Sequence, residues 1–73
     1  MFSKKLNKEL RNLGINPSES SSVIRYALED NLDNTVEENN AGNNHRYIEA
    51  ERVYSIFMEE YTVMLDAGDS LFN

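Results

Sequence analysis

The chain contains no cysteine, no tryptophan, one proline and one histidine. Without cysteine there is no disulfide scaffold, no thiol nucleophile and no cysteine-ligated zinc or iron–sulfur site. No run approaches the roughly 18 apolar residues of a membrane-spanning helix. The start, Met1-Phe2-Ser3-Lys4-Lys5, lacks the apolar stretch of a secretory signal. The expected location is therefore the cytoplasm, that of the host where the chain is phage-encoded, with no membrane contact. Bases are also scarce: seven Lys and Arg stand against thirteen Asp and Glu, for a formal charge of −6. A protein built to grip nucleic acid needs a dense positive face, so nucleic acid is not the expected partner.

What charge there is has been divided unevenly. Residues 1–13 hold Lys4, Lys5, Lys8 and Arg11 against Glu9, a balance of +3, whereas residues 14–73 carry −9. At 73 residues the chain has room for one small domain. A domain of that size buries only about 60% of its unfolded surface, so most of its apolar residues must be used or a partner must contribute.

Apolar spacing places three helices, and the fold class expected is a small all-α domain. The first spans about 4–13, where Leu6, Leu10 and Leu13 recur at helical spacing behind Phe2. Ser3 is placed to cap its start, Gly14 to end it, and Ile15 to fold back on Leu10. The second is expected over 17–33, with Asn16 as cap, Pro17 in the first turn and Glu19 three residues on. Its apolar stripe is Val23, Ile24, Ala27, Leu28 and Leu32. Glu29, Asp30 and Asp33 would then crowd its C-terminal end, where the helix dipole disfavours them, with Lys4 and Lys8 as counter-charges. Residues 34–44 include five Asn and one Gly, which predicts a polar loop. The third helix is expected over 45–67, capped by Asn44 and stopped by Gly68. The expected architecture is a short helical hairpin packed on this longer helix.

The third helix dominates the sequence. Between Tyr47 and Leu65, twelve of nineteen residues are apolar, more than one buried stripe requires. Tyr47, Tyr54 and Tyr61 repeat every seven residues, and Ala50, Phe57 and Met64 form a second row at the same interval. Ile48, Val53, Ile56, Met58, Val63 and Leu65 lie outside that seam. Surplus apolar surface of this kind implies a second contact, with a partner or with another copy through this helix. The tail carries two more apolar residues, Leu71 and Phe72.

No catalytic constellation is legible. His45 and Glu49 share a helix face at i, i+4, half of a metal site with no second half nearby. Glu37–Glu38 and Glu59–Glu60 are sequence neighbours, so on a helix they diverge. No metal, cofactor or enzymatic activity is expected. The stretch from Leu10 to Asn31, with Leu13-Gly14-Ile15 followed by Ser22-Val23-Ile24-Arg25-Tyr26-Ala27-Leu28-Glu29, resembles the two helices of ribbon-helix-helix proteins. Many of that family are antitoxins, and the resemblance implies a C-terminal segment that covers a toxin.

The leading functional expectation is a non-enzymatic module that binds and inhibits a protein. Acidity favours a partner with a basic surface, such as a nucleic-acid-handling host protein met by a phage or mobile-element inhibitor. The expected binding residues are Tyr54, Phe57, Met58 and Tyr61, with Glu59 and Glu60 at the rim. The alternatives are an antitoxin-like regulator and a structural homo-oligomer.

Overall fold

In the computed structural model, which describes residues 2–67, the chain forms three helices and, among those residues, no strand. They are α1 (Lys4–Asn12), α2 (Ser21–Asn40) and α3 (His45–Asp66). The all-α expectation holds. The hairpin, however, joins α2 to α3, and α1 is the shorter element laid against α3. The molecule is elongated, with extents of 42 × 20 × 18 Å, because two helices of about 30 Å set its length at 1.5 Å per residue.

α1 begins where Ser3 Oγ accepts from the Leu6 amide at 3.1 Å. It ends in a Schellman turn around Gly14, at φ +79°. The Gly14 amide donates to Arg11 O at 3.0 Å, and the Ile15 amide reaches back to Leu10 O at 2.9 Å. Leu6, Leu10 and Ile15 are buried beside Phe2. The basic residues take the opposite side, since Lys4, Lys8 and Arg11 fall at i, i+4 and i+7.

α2 departs from its expected bounds at both ends. Asn16-Pro17-Ser18-Glu19 forms a turn before the helix: Asn16 Oδ1 accepts from the Ser18 amide at 3.0 Å, and Asn16 O accepts from the Glu19 amide at 3.2 Å. Proline suits the second position of such a turn as well as a first helical turn. The cap is instead Ser20, whose Oγ accepts from Val23 N at 3.4 Å. At the other end the helix continues through the Asn-rich segment to Asn40, so the polar loop shrinks to residues 41–44. Tertiary packing outweighs the modest reluctance of Asn for helix here, roughly 0.7 kcal/mol per residue at most. Thr35 is fully buried with its Oγ1 donating to Leu32 O at 2.9 Å. Asn34 Nδ2 donates to Asp30 Oδ2 at 3.4 Å, one turn back. A second Schellman turn, around Gly42 at φ +89°, then closes α2. Its amide bonds are Gly42 to Asn39 O at 3.1 Å and Asn43 to Glu38 O at 2.9 Å.

Glu29, Asp30 and Asp33 consequently sit in mid-helix, and the expected pairing with Lys4 and Lys8 does not form. Glu29 is held by Arg25 at 3.3 Å and by the Tyr54 hydroxyl, which donates to it at 3.2 Å. That carboxylate raises the pKa of the Arg25 guanidinium, with Tyr54 adding to the effect.

α3 starts at His45 as expected and runs to Asp66, with Ala67 as its C-cap. Asn44 occupies the N-cap position without using its side chain. The expected stop at Gly68 and the apolar tail Leu71-Phe72 lie outside the described residues. Both other helices run antiparallel to α3. Along α2, Glu38 meets Arg46 at 3.0 Å close to the turn, and Glu29 meets Tyr54 further along. Along α1, Ser3 meets Glu60 and Glu9 meets Arg52. The core lies where the three converge: Phe2, Leu6, Leu10, Ile15, Ile24, Leu28, Val53, Phe57 and Met64. Val23, expected in the buried stripe of α2, faces solvent at 47% exposure.

Candidate protein interface

The row Ala50, Phe57 and Met64, spaced every seven residues, forms the buried spine of α3, and Val53 joins it. Phe57 is the centre. It is fully buried, its ring 5.1 Å from Phe2 and 5.6 Å from Tyr61, the latter stacked. The expectation that Phe57 anchors a partner is therefore corrected: the side chain is spent inside the fold. Tyr54 and Tyr61 are half-buried against the same core, which holds their rings in place.

The two expected rim carboxylates have different fates. Glu60 turns inward and binds the start of α1 with both oxygens: Ser3 N donates at 2.8 Å and Ser3 Oγ at 2.7 Å. Glu59, the neighbouring residue, points away from that contact and is exposed. Its carboxylate makes no hydrogen bond or ion pair among the described residues.

Flanking the spine are two further rows with the same seven-residue interval. Ile56 and Val63 make one; Met58 and Leu65 make the other. Residues two apart on a helix point about 160° from each other, so the rows lie on opposite flanks of α3. Ile56 and Met58 are partly buried against the core, whereas Val63 is 64% exposed and Leu65 47%. The Ile56–Val63 row faces α1 across a groove of about 460 Å³ lined by Lys5, Ile56, Glu59, Glu60, Val63 and Met64. The Met58–Leu65 row belongs to the flank that carries Tyr54 and Tyr61, next to α2. Sequence reasoning singled out Met58 from the second row. It counted Val63 and Ile56 as surplus without assigning them a site, and it missed Lys5 as a groove residue. The heptad interval from 56 to 63 was a usable signal.

The structure also locates the residues weighed for chemistry. His45 Nε2 lies 3.9 Å from Glu49 Oε2, an exposed i, i+4 pair. Among the described residues no three His, Asp or Glu side chains converge as a metal site, and no helix is long and apolar enough to cross a membrane. Glu37 and Glu38 diverge, with Glu38 engaged by Arg46. Compared with protein-family models, with curated proteins and with solved structures, the chain has no significant match in any of the three.

Proposed function

We propose that this chain is a non-enzymatic protein-interaction module that binds a protein partner through the α2-side flank of α3 and thereby inhibits it. The observation that carries the reading is the Met58–Leu65 row. It places Leu65, 47% exposed, and the half-buried Met58 on the same flank of α3 as the half-buried Tyr54 and Tyr61. Exposed apolar surface held on a rigid helix, with aromatic rings fixed by the core behind it, is the anatomy of a docking face. Residues 14–73 carry a charge of −9. That favours a partner with a basic surface, drawn in by long-range attraction, and the class includes nucleic-acid-handling proteins of a host cell.

The variant that tests this must spare the core, which excludes Phe57. Met58→Gln, close to Met in volume and uncharged, with Leu65→Glu at the exposed end, changes the character of the row without placing a charge against the core. The expected result is that a tagged wild-type chain recovers one stoichiometric protein from source lysate. The double variant, checked by circular dichroism for unchanged helicity, loses it. Recovery of nothing beyond the chain's own copies would overturn the reading.

A further inference from the structure

On the opposite flank, we propose that the groove between α1 and α3 receives a second copy of the chain, related by a two-fold axis running along α3. The argument starts from charge. Lys5 and Glu59 both line the groove, and neither makes an ion pair among the described residues. They occupy opposite rims: Lys5 on α1, Glu59 on the outer edge of α3, with Ile56 and Val63 as the apolar floor between them. Glu60, the other carboxylate in the groove, has both oxygens engaged by Ser3 N and Oγ on the α1 side, which leaves Glu59 as the carboxylate free to meet a cation across the contact. A basic partner laid across this groove meets Lys5, and an acidic one meets Glu59. A surface with the same two signs in the reverse lateral order satisfies both, and a copy of this chain turned about an axis parallel to α3 presents that order.

The level of the residues agrees. Ser3 contacts Glu60 and Glu9 contacts Arg52, so α1 descends as α3 ascends and Lys5 stands close to the level of Glu59. Rotation about an axis along α3 keeps each residue at its own level. Lys5 of each copy then faces Glu59 of the other, Ile56 meets Ile56, and Val63 meets Val63. A two-fold axis perpendicular to α3 gives antiparallel helices and sets like rims together, Lys5 beside Lys5 and Glu59 beside Glu59, which the charges oppose.

The contact leaves the Met58–Leu65 flank open, so it stands or falls separately from the partner-binding reading. It is tested by sedimentation of the full chain over a dilution series into the low micromolar range. The expected result is a monomer–dimer equilibrium that Val63→Glu abolishes without loss of helicity, since Val63 is 64% exposed. Lys5→Glu and Glu59→Lys each weaken the dimer by about tenfold, and the two together in one chain restore it. Because the chain has no cysteine, Val63→Cys gives a single reporter of orientation. It cross-links to itself under mild oxidation faster than Ile48→Cys, an exposed control elsewhere on α3. A wild-type monomer throughout the series overturns the proposal, as does a dimer that Val63→Glu leaves intact. A charge pair that fails to restore, or a cross-link no faster than the control, overturns the two-fold arrangement.

Discussion

The α2–α3 hairpin and α1 are held in the molecule by different means. The hairpin is two long helices joined by four residues, with burial distributed along its length from Ile24 and Leu28 to Thr35, Val53 and Phe57. Two of its three arginines are used internally, Arg25 with Glu29 and Arg46 with Glu38. α1 has nine residues and is fastened over a short span, by the fully buried Leu6 and Leu10 and by single contacts of Phe2 with Phe57, Ser3 with Glu60 and Glu9 with Arg52. None of its four cations, Lys4, Lys5, Lys8 and Arg11, makes an ion pair among the described residues. In a chain with a surplus of acids, four free cations on one short helix mean that α1 is not packed as a counter-charge for α2. It is a clamp across one end of α3, with its charge directed outward.

The comparison can be broken most severely at the residue both parts share. Phe57→Ala removes the ring that α1, α2 and α3 meet around, and we expect a loss of about 4 kcal/mol. In a domain this small that is enough to unfold much of the population, read by urea denaturation followed by circular dichroism. A fall of under 1 kcal/mol would show that the two parts are stable without a common centre.

Next in size is Leu6→Ala, expected to cost about 3 kcal/mol. It distinguishes docking from global folding. Amide exchange should accelerate first in residues 4–12 and leave the middle of α2 protected if α1 is a clamp on a pre-formed hairpin. Uniform acceleration would make all three helices one cooperative unit.

Removing the polar fastening is a smaller change. Glu60→Ala leaves Ser3 N and Oγ without their partner at a solvent-accessible site, for an expected loss of about 1 kcal/mol. A Ser3→Ala, Glu60→Ala double-mutant cycle should show coupling of similar size, and zero coupling would remove the contact from the list of fastenings.

Gly42→Ala tests the hairpin turn. At φ +89° a Cβ is strained although nothing crowds it, so we expect about 1 kcal/mol of destabilisation in the same denaturation assay. The smallest effect has the opposite sign. Asn40→Ala, exposed in the last turn of α2, should stabilise by a few tenths of a kcal/mol. A measurable loss there would indicate that the Asn side chain serves the turn.

Several features of this architecture are legible one residue at a time. Ser3 as cap, Gly14 as stop and Ile15 folding back on Leu10 are local events within a few residues. They depend on backbone geometry that the neighbouring letters dictate. The extent of α2 was not legible in that way. Asn-Pro initiates a turn or a helix with equal local support, and an Asn-rich stretch reads as loop until the burial of Thr35 shows that the helix runs on through it. The candidate interface divides similarly. That α3 carries more apolar surface than two neighbours can cover follows from counting. Which residues form the surplus does not: Val53, counted outside the seam, is buried, and Phe57, in the seam but chosen as a binding residue, is fully buried.

The sequence by itself therefore determined the class of object: a cysteine-free, acidic, three-helix chain with a heptad-spaced third helix. Those properties are set by composition and by the 3.6-residue period, which act on each segment alone. Only the tertiary structure decided which face of α3 is the spine, that Glu60 turns in to hold Ser3 while Glu59 stays out, and that α2 outlasts its own weak propensity. Each of those outcomes depends on what lies across from a residue, and burial against a partner helix outweighs the few tenths of a kcal/mol by which local preferences differ.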